Sequence, residues 1–159
     1  MSWQEAARGM IRLITLAPER PGAKEFIRRA STTGVKVALG HTAADGETID
    51  TAVRAGASLS THLGNGSHSL IPRLKNYIWQ QLSIDELFAS IITDGFHLPD
   101  SVVKAFWRAK SKERIILTSD VAVMGGKEPG VYRYGSIEVE IFSDGHLGLP
   151  GRRDRRLHI

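Results

Sequence analysis

The chain has 159 residues, 42% hydrophobic and 24% charged, which is ordinary for a soluble globular domain with a sizeable core. It contains no cysteine, which excludes disulfides, iron–sulfur clusters and thiolate zinc sites and leaves His, Asp and Glu as metal ligands in a cytoplasmic setting. The basic balance, net +4, is concentrated in residues 151–156, where four Arg and one Asp supply three of those charges. No nucleic-acid motif or interleaved aromatics accompany them, so nucleic acid is not an expected partner.

In chain order, apolar runs rich in β-branched residues predict strands at Ile11–Leu16, Val35–Leu39, Ala57–Thr61, Phe88–Thr93 and Arg114–Thr118. The segments between them predict helices at Pro21–Thr32, Ala44–Ala55, Ile78–Leu82 with its flanks, and Pro99–Lys110. Gly34 and Gly56 stand just past two of these helices, as C-terminal stops. This alternation predicts parallel βα units. After Gly125-Gly126 the pattern changes to Val131–Tyr134 and Ile137–Phe142 with a Ser143-Asp144-Gly145 turn, an antiparallel β segment. No apolar run approaches the roughly 20 residues of a membrane span, and no secretory leader opens the chain, so no membrane partner is expected.

Polar residues follow every predicted strand: Glu19 after the first, His41 and His62 after the second and third, Asp94 to His97 after the fourth and Asp120 after the fifth. In a parallel β/α protein the strand C-termini share one end, so five polar motifs converge there. A doubly wound sheet and a barrel both collect residues in this way. Glu19, His41 and His62 supply one oxygen and two imidazoles, a set that can hold a divalent metal while leaving room for water, whose pKa the metal lowers. A single strand-end histidine is as readily a hydrogen-bonded one. Asp120 can move protons as a general acid/base, or serve as a turn or N-cap residue. His97 can donate to a substrate oxygen or cap its loop. The small residues of Leu63–His68, including Asn65 and Gly66, admit substrate close to backbone N–H groups or form a flexible loop. Arg73 can pair with a phosphate or stand solvated. His68 is weaker still, and His146 and His158 carry no site signal.

Together, Thr15–Glu19, Gly40–Ala43, Thr61–Leu63 with Asn65, Thr93–His97 and Leu117–Asp120 resemble, in order and spacing, the N-acetylglucosamine-6-phosphate deacetylases of the amidohydrolase superfamily. The resemblance covers residues from about 11 to 150. It implies a (β/α)₈ TIM barrel with a small β-sandwich domain, and hydrolysis of the acetamide of N-acetylglucosamine 6-phosphate. It implies Glu19, His41 and His62 as ligands of Zn²⁺, Fe²⁺ or a similar ion, and Asp120 as the general acid/base. His97, Asn65 and Gly66 would bind the sugar phosphate. Arg73 would bind phosphate in the neighbouring subunit of a homodimer.

Two departures stand out. Gly64-Asn65-Gly66-Ser67 replaces the family's aromatic residue followed by Asn-Ala-Met. A closed barrel also takes about 250 residues, so the expectation is a partial α/β barrel of about five strands over residues 1–130. A β segment over 131–150 leads toward the sandwich, and 151–159 is an unmatched basic tail. The other readings are an amidohydrolase acting on a cyclic amide or an N-acyl amino acid, and a non-catalytic fragment.

Overall fold

A computed structural model describes residues 2–156. Five short parallel strands, β1 (Leu13–Leu16), β2 (Lys36–Leu39), β3 (Ala57–Ser60), β4 (Phe88–Ile92) and β5 (Ile115–Thr118), form one sheet. Four helices connect them: α2 (Ala23–Thr32), α3 (Gly46–Arg54), α4 (Tyr77–Ser83) and α5 (Asp100–Lys110). A first helix, α1 (Trp3–Ala6), was not expected from the sequence. Its signal was present, because Ser2 and Glu5 form a reciprocal capping box.

The strands pair strictly in chain order, β1-β2-β3-β4-β5. The helices follow the same order, α2 beside α3, α3 beside α4 and α4 beside α5. A doubly wound sheet reverses strand order at a switch point and places helices on both faces. Sequential winding is the course of a (β/α) barrel, so the fold is part of such a barrel.

Burial explains the pattern of the strands. Val37, Ala38 and Leu39 of β2, and Ala89, Ile91 and Ile92 of β4, are fully or almost fully buried, as expected of strands covered on both faces. Ile27 of α2, Ile49 and Ala52 of α3, and Leu87 join the β2 side chains in one core cluster. Leu82, Leu98 and Phe106 join Ala89 and Ile91 in a second. The outer strands differ: Leu13 on β1 is 51% exposed and Leu117 on β5 is 62% exposed. Their apolar side chains and unpaired edges are open in this chain.

The last third forms a second, antiparallel sheet of β6 (Gly130–Tyr134), β7 (Ile137–Ile141), β8 (Leu147–Leu149) and β9 (Arg152–Arg156), in that order. Met124, Val139 and Ile141 make its core. The expected β segment over 131–150 is therefore two hairpins, and the backbone of residues 152–156, expected as an unmatched tail, pairs with β8. Residues 157–159, including His158, lie outside the described residues. Among the described residues no helix is long and apolar enough to cross a membrane.

Candidate active site

Three residues with left-handed backbone stand two positions beyond the ends of their strands: His41 (φ 50°) after β2, His62 (φ 30°) after β3 and Asp120 (φ 48°) after β5. Side chains other than glycine pay roughly 1–3 kcal/mol for such backbone, which persists where surroundings enforce it and clusters at functional sites.

The surroundings that enforce it are visible. The His62 N–H donates to Ser90 Oγ on β4 at 2.7 Å, and Ser90 Oγ donates back to Ser60 O at 3.1 Å. The Leu63 N–H donates to Ser90 O at 2.7 Å, so β4 grips the turn from both sides. At His41 the preceding Gly40 makes the close approach possible: a Cβ there would lie 2.7 Å from Thr15 Cγ2 and 2.9 Å from Thr61 Cβ.

These turns bring His41 Nε2 and His62 Nε2 to 3.0 Å from each other, with the rings edge-on at 79°. His62 is buried, and its Nδ1 has no hydrogen-bond partner among the described residues. Two imidazole nitrogens at this separation can share a proton or serve as two ligands of one divalent cation. Glu19 does not complete the group here. Its Oε2 accepts from Thr42 Oγ1 at 2.5 Å and its Oε1 from the Ala43 N–H at 2.8 Å, so it braces the loop that follows His41. Burial pushes the Glu19 carboxyl up, but these hydrogen bonds and the nearby Arg20 together hold it below its ordinary value. Among the described residues no three His, Asp or Glu side chains are gathered closely enough to hold a metal ion. Of the three residues expected to converge, His41 and His62 stand together, while both Glu19 oxygens are committed to Thr42 and Ala43.

Beside this pair lies a cleft of about 400 Å³ whose lining includes Asn65, Asp94, His97, Asp120 and His146. Asn65 also lines a small recess of about 20 Å³ next to His41, together with Gly66, and so joins the two. The loop is tied down at Asn65, whose N–H donates to His62 O at 2.9 Å, and at buried Leu63. A Cβ at Gly66 would sit in ordinary contact with the His41 ring at 3.5 Å, so it is the left-handed backbone, φ 62°, that favours glycine there.

His97 is oriented by Asp94, which the sequence had shown only as part of its motif. Asp94 Oδ1 accepts from the Phe96 and His97 N–H groups at 2.8 and 3.0 Å, and Oδ2 pairs with His97 Nδ1 at 2.6 Å. Burial raises the Asp94 carboxyl, and these contacts lower it further than that, for a net shift downward. Arg73 stands exposed and lines neither the cleft nor the recess. His68 is tied through its N–H and Nδ1 to the Tyr77 hydroxyl at 2.9 and 3.0 Å.

His146, which carried no signal in the sequence, lines the cleft. Asp144 Oδ1 pairs with its Nδ1 at 2.6 Å. The signal that could have found it is the repeated Asp-Gly turn: Asp94-Gly95-Phe96-His97 and Asp144-Gly145-His146 both curl a histidine back onto the aspartate.

No protein-family model matches the chain. It is 34% identical over 151 residues to the N-acetylglucosamine-6-phosphate deacetylase of Bacillus subtilis, covering 91% of this chain and 38% of that protein. It is 37% identical over 124 residues to the N-acetylgalactosamine-6-phosphate deacetylase of a Shewanella species, covering 78% of this chain and 31% of that one. The fold superposes with a TM-score of 0.85 and 28% identity on the N-acetyl-D-glucosamine-6-phosphate deacetylase of Mycobacterium smegmatis, solved as a variant in complex with N-acetyl-D-glucosamine-6-phosphate. That match covers 96% of this chain and 40% of the other. The chain spans about 38% of the length of the Bacillus relative. In sequence and in fold the chain is homologous to a partial region of the N-acetylglucosamine-6-phosphate deacetylases.

Proposed function

We propose that this chain carries the catalytic strand ends of a hydrolase that removes the acetyl group from N-acetylglucosamine 6-phosphate, or from a close N-acetyl amino sugar phosphate. The observation that carries this reading is the set of left-handed turns two residues past β2, β3 and β5, with the Nε2 atoms of His41 and His62 only 3.0 Å apart. The Shewanella relative, named for the galacto sugar, favours keeping the epimer within the substrate class.

In this reading His41, His62 and Glu19 would hold a divalent ion such as Zn²⁺ or Fe²⁺, which would supply Lewis-acid polarisation of the amide carbonyl. Asp120 takes a proton from the attacking water and returns it to the leaving amine, so that the amide and one water become acetate and the amino sugar phosphate. His97, with Nδ1 held by Asp94, presents its other ring nitrogen to a substrate oxygen. Asn65 and Gly66 line the sugar phosphate site, and Arg73 binds phosphate in the neighbouring subunit of a homodimer. Absence of cysteine accords with a cytoplasmic enzyme.

The test is acetate release from N-acetylglucosamine 6-phosphate, its galacto epimer and the unphosphorylated sugars, by this chain and by a chain extended to the length of its relatives. Release from the phosphorylated sugars by the extended chain supports the reading. Release only from cyclic amides or N-acyl amino acids would replace it with another amidohydrolase activity. No hydrolysis by either chain would leave a non-catalytic role.

A further inference from the structure

His146 belongs to the small antiparallel sheet, in the turn between β7 and β8, yet it faces the cleft shared with Asp120 and His97. The residue is only 8% exposed. Its ring stacks on Phe142, with centroids 4.4 Å apart at 8°, and lies 5.5 Å from the ring of Phe96 in the turn that positions His97. On one side Asp144 Oδ1 pairs with Nδ1 at 2.6 Å. On the other, Nε2 is buried and has no hydrogen-bond partner among the described residues.

A buried polar atom without a partner is uncommon in folded proteins and calls for an explanation. An ionised carboxylate only accepts, so Asp144 requires the proton on Nδ1 and leaves the Nε2 of a neutral imidazole as an acceptor. With the proton held on Nδ1, a donor such as a sugar hydroxyl satisfies Nε2. Around it the cleft is walled by Val121, Ala122, Met124, Ile141 and Leu147. Apolar side chains beside a fixed acceptor suit the C–H face and an O–H of a sugar ring.

We propose that His146, held by Asp144 and the Phe142 ring, is a substrate-positioning residue whose Nε2 accepts the O–H of a ring hydroxyl of the amino sugar phosphate. The identity of the sugar rests on the function proposed above. The position of the hydroxyl on the ring is read by the test.

The test titrates glucosamine 6-phosphate and its 3-deoxy and 4-deoxy analogues into the full chain and into His146→Phe and Asp144→Asn. Phenylalanine keeps the stack on Phe142 and removes the acceptor. The Asp144→Asn change keeps the imidazole but removes the carboxylate that holds the ring and its proton in place. Both variants should bind glucosamine 6-phosphate about 2- to 10-fold more weakly, the range of one lost neutral hydrogen bond. Both should bind one of the two deoxy analogues as the parent does. In the parent, the nitrogen chemical shift of His146 Nε2 should move on adding glucosamine 6-phosphate, and this readout decides if a variant fails to fold. A parent that binds the amino sugar phosphate, with variants of equal affinity or an unmoved Nε2 resonance, overturns the proposal and leaves the deacetylase reading standing. A parent that binds no amino sugar phosphate overturns that reading, and the sugar assignment with it.

Discussion

His41 Nε2 and His62 Nε2 face each other across 3.0 Å, each delivered by a left-handed turn two residues past its own parallel strand. Neutral imidazoles so placed share one proton between two lone pairs, whereas a divalent cation accepts both. Replacing either histidine with Ala should abolish stoichiometric binding of a divalent metal, and His146→Phe should leave it in place. Metal content after dialysis checks this, and an unchanged content in His41→Ala removes that residue from the ligands.

Asp120→Asn keeps the shape of the side chain but cannot take a proton. In an extended chain that hydrolyses the amino sugar phosphate, kcat should fall about 10²- to 10⁴-fold with substrate affinity largely kept. A loss under about tenfold is too small for the proposed role. Metal content measured on the same sample separates proton transfer from ligation.

Arg73 is exposed and outside the cleft of its own chain, so the phosphate role proposed for it would need a second subunit. Arg73→Ala should raise KM for the 6-phosphorylated sugar far more than for the unphosphorylated one, because only the former loses a charge-assisted contact. Steady-state kinetics on both sugars measures the difference. Equal effects count against phosphate recognition there.

Gly40→Ala tests the packing that delivers His41. The added methyl would meet Thr15 Cγ2 at 2.7 Å and Thr61 Cβ at 2.9 Å, groups on neighbouring chain segments of the sheet. Overpacking of this kind costs about 1–3 kcal/mol, and relief by backbone shift would move His41 away from His62. Urea unfolding should show the loss of stability, with weaker metal binding alongside. Unchanged values of both would show that the sheet yields freely at this point.

Lys110 gives a pH dependence of the same sign as the lowered carboxylates of Glu19 and Asp94, but in the alkaline range. The residue is 3% exposed, and its Nζ donates to the Ile84 carbonyl. Burial pulls its pKa from 10.5 down to about 8, outweighing the nearby carboxylates of Asp85 and Glu86. Between those two values the unfolded chain binds more protons than the folded one, so stability should rise with pH from about 8 toward 10.5 and draw no change from this group below 8. Lys110→Met should flatten that rise. Urea midpoints at pH 7.5 and 9.5 measure the slope, and an equal slope in parent and variant rules Lys110 out as its source.

The strands, their parallel character and the polar residue after each were legible in the sequence because they depend on local signals. A buried strand needs a short run of β-branched residues, and a strand end that serves chemistry interrupts the run with His, Glu or Asp. Phe88–Ile92 followed by Asp94 shows both within seven residues. The runs alone did not say which way the sheet winds, since they suit a barrel or a doubly wound sheet. The resemblance implied the barrel, and the sequential pairing of β1 through β5 bears it out.

Distances at the site depend on packing between segments far apart in the chain. Ser90 grips the His62 turn from β4, and Gly40 lets the segments around Thr15 and Thr61 close on it, so the 3.0 Å approach of the two histidines is a product of the assembled sheet. The same holds for Glu19, whose oxygens are claimed by Thr42 and Ala43, and for His146, which reaches the cleft only because the second sheet folds back beside the ends of β4 and β5. The sequence by itself determined which residues stand at the strand ends, because residue type and periodicity are written along the chain. Tertiary structure decided which of them meet, because that depends on strand order, close backbone approach and hydrogen bonds between segments that the linear pattern leaves free.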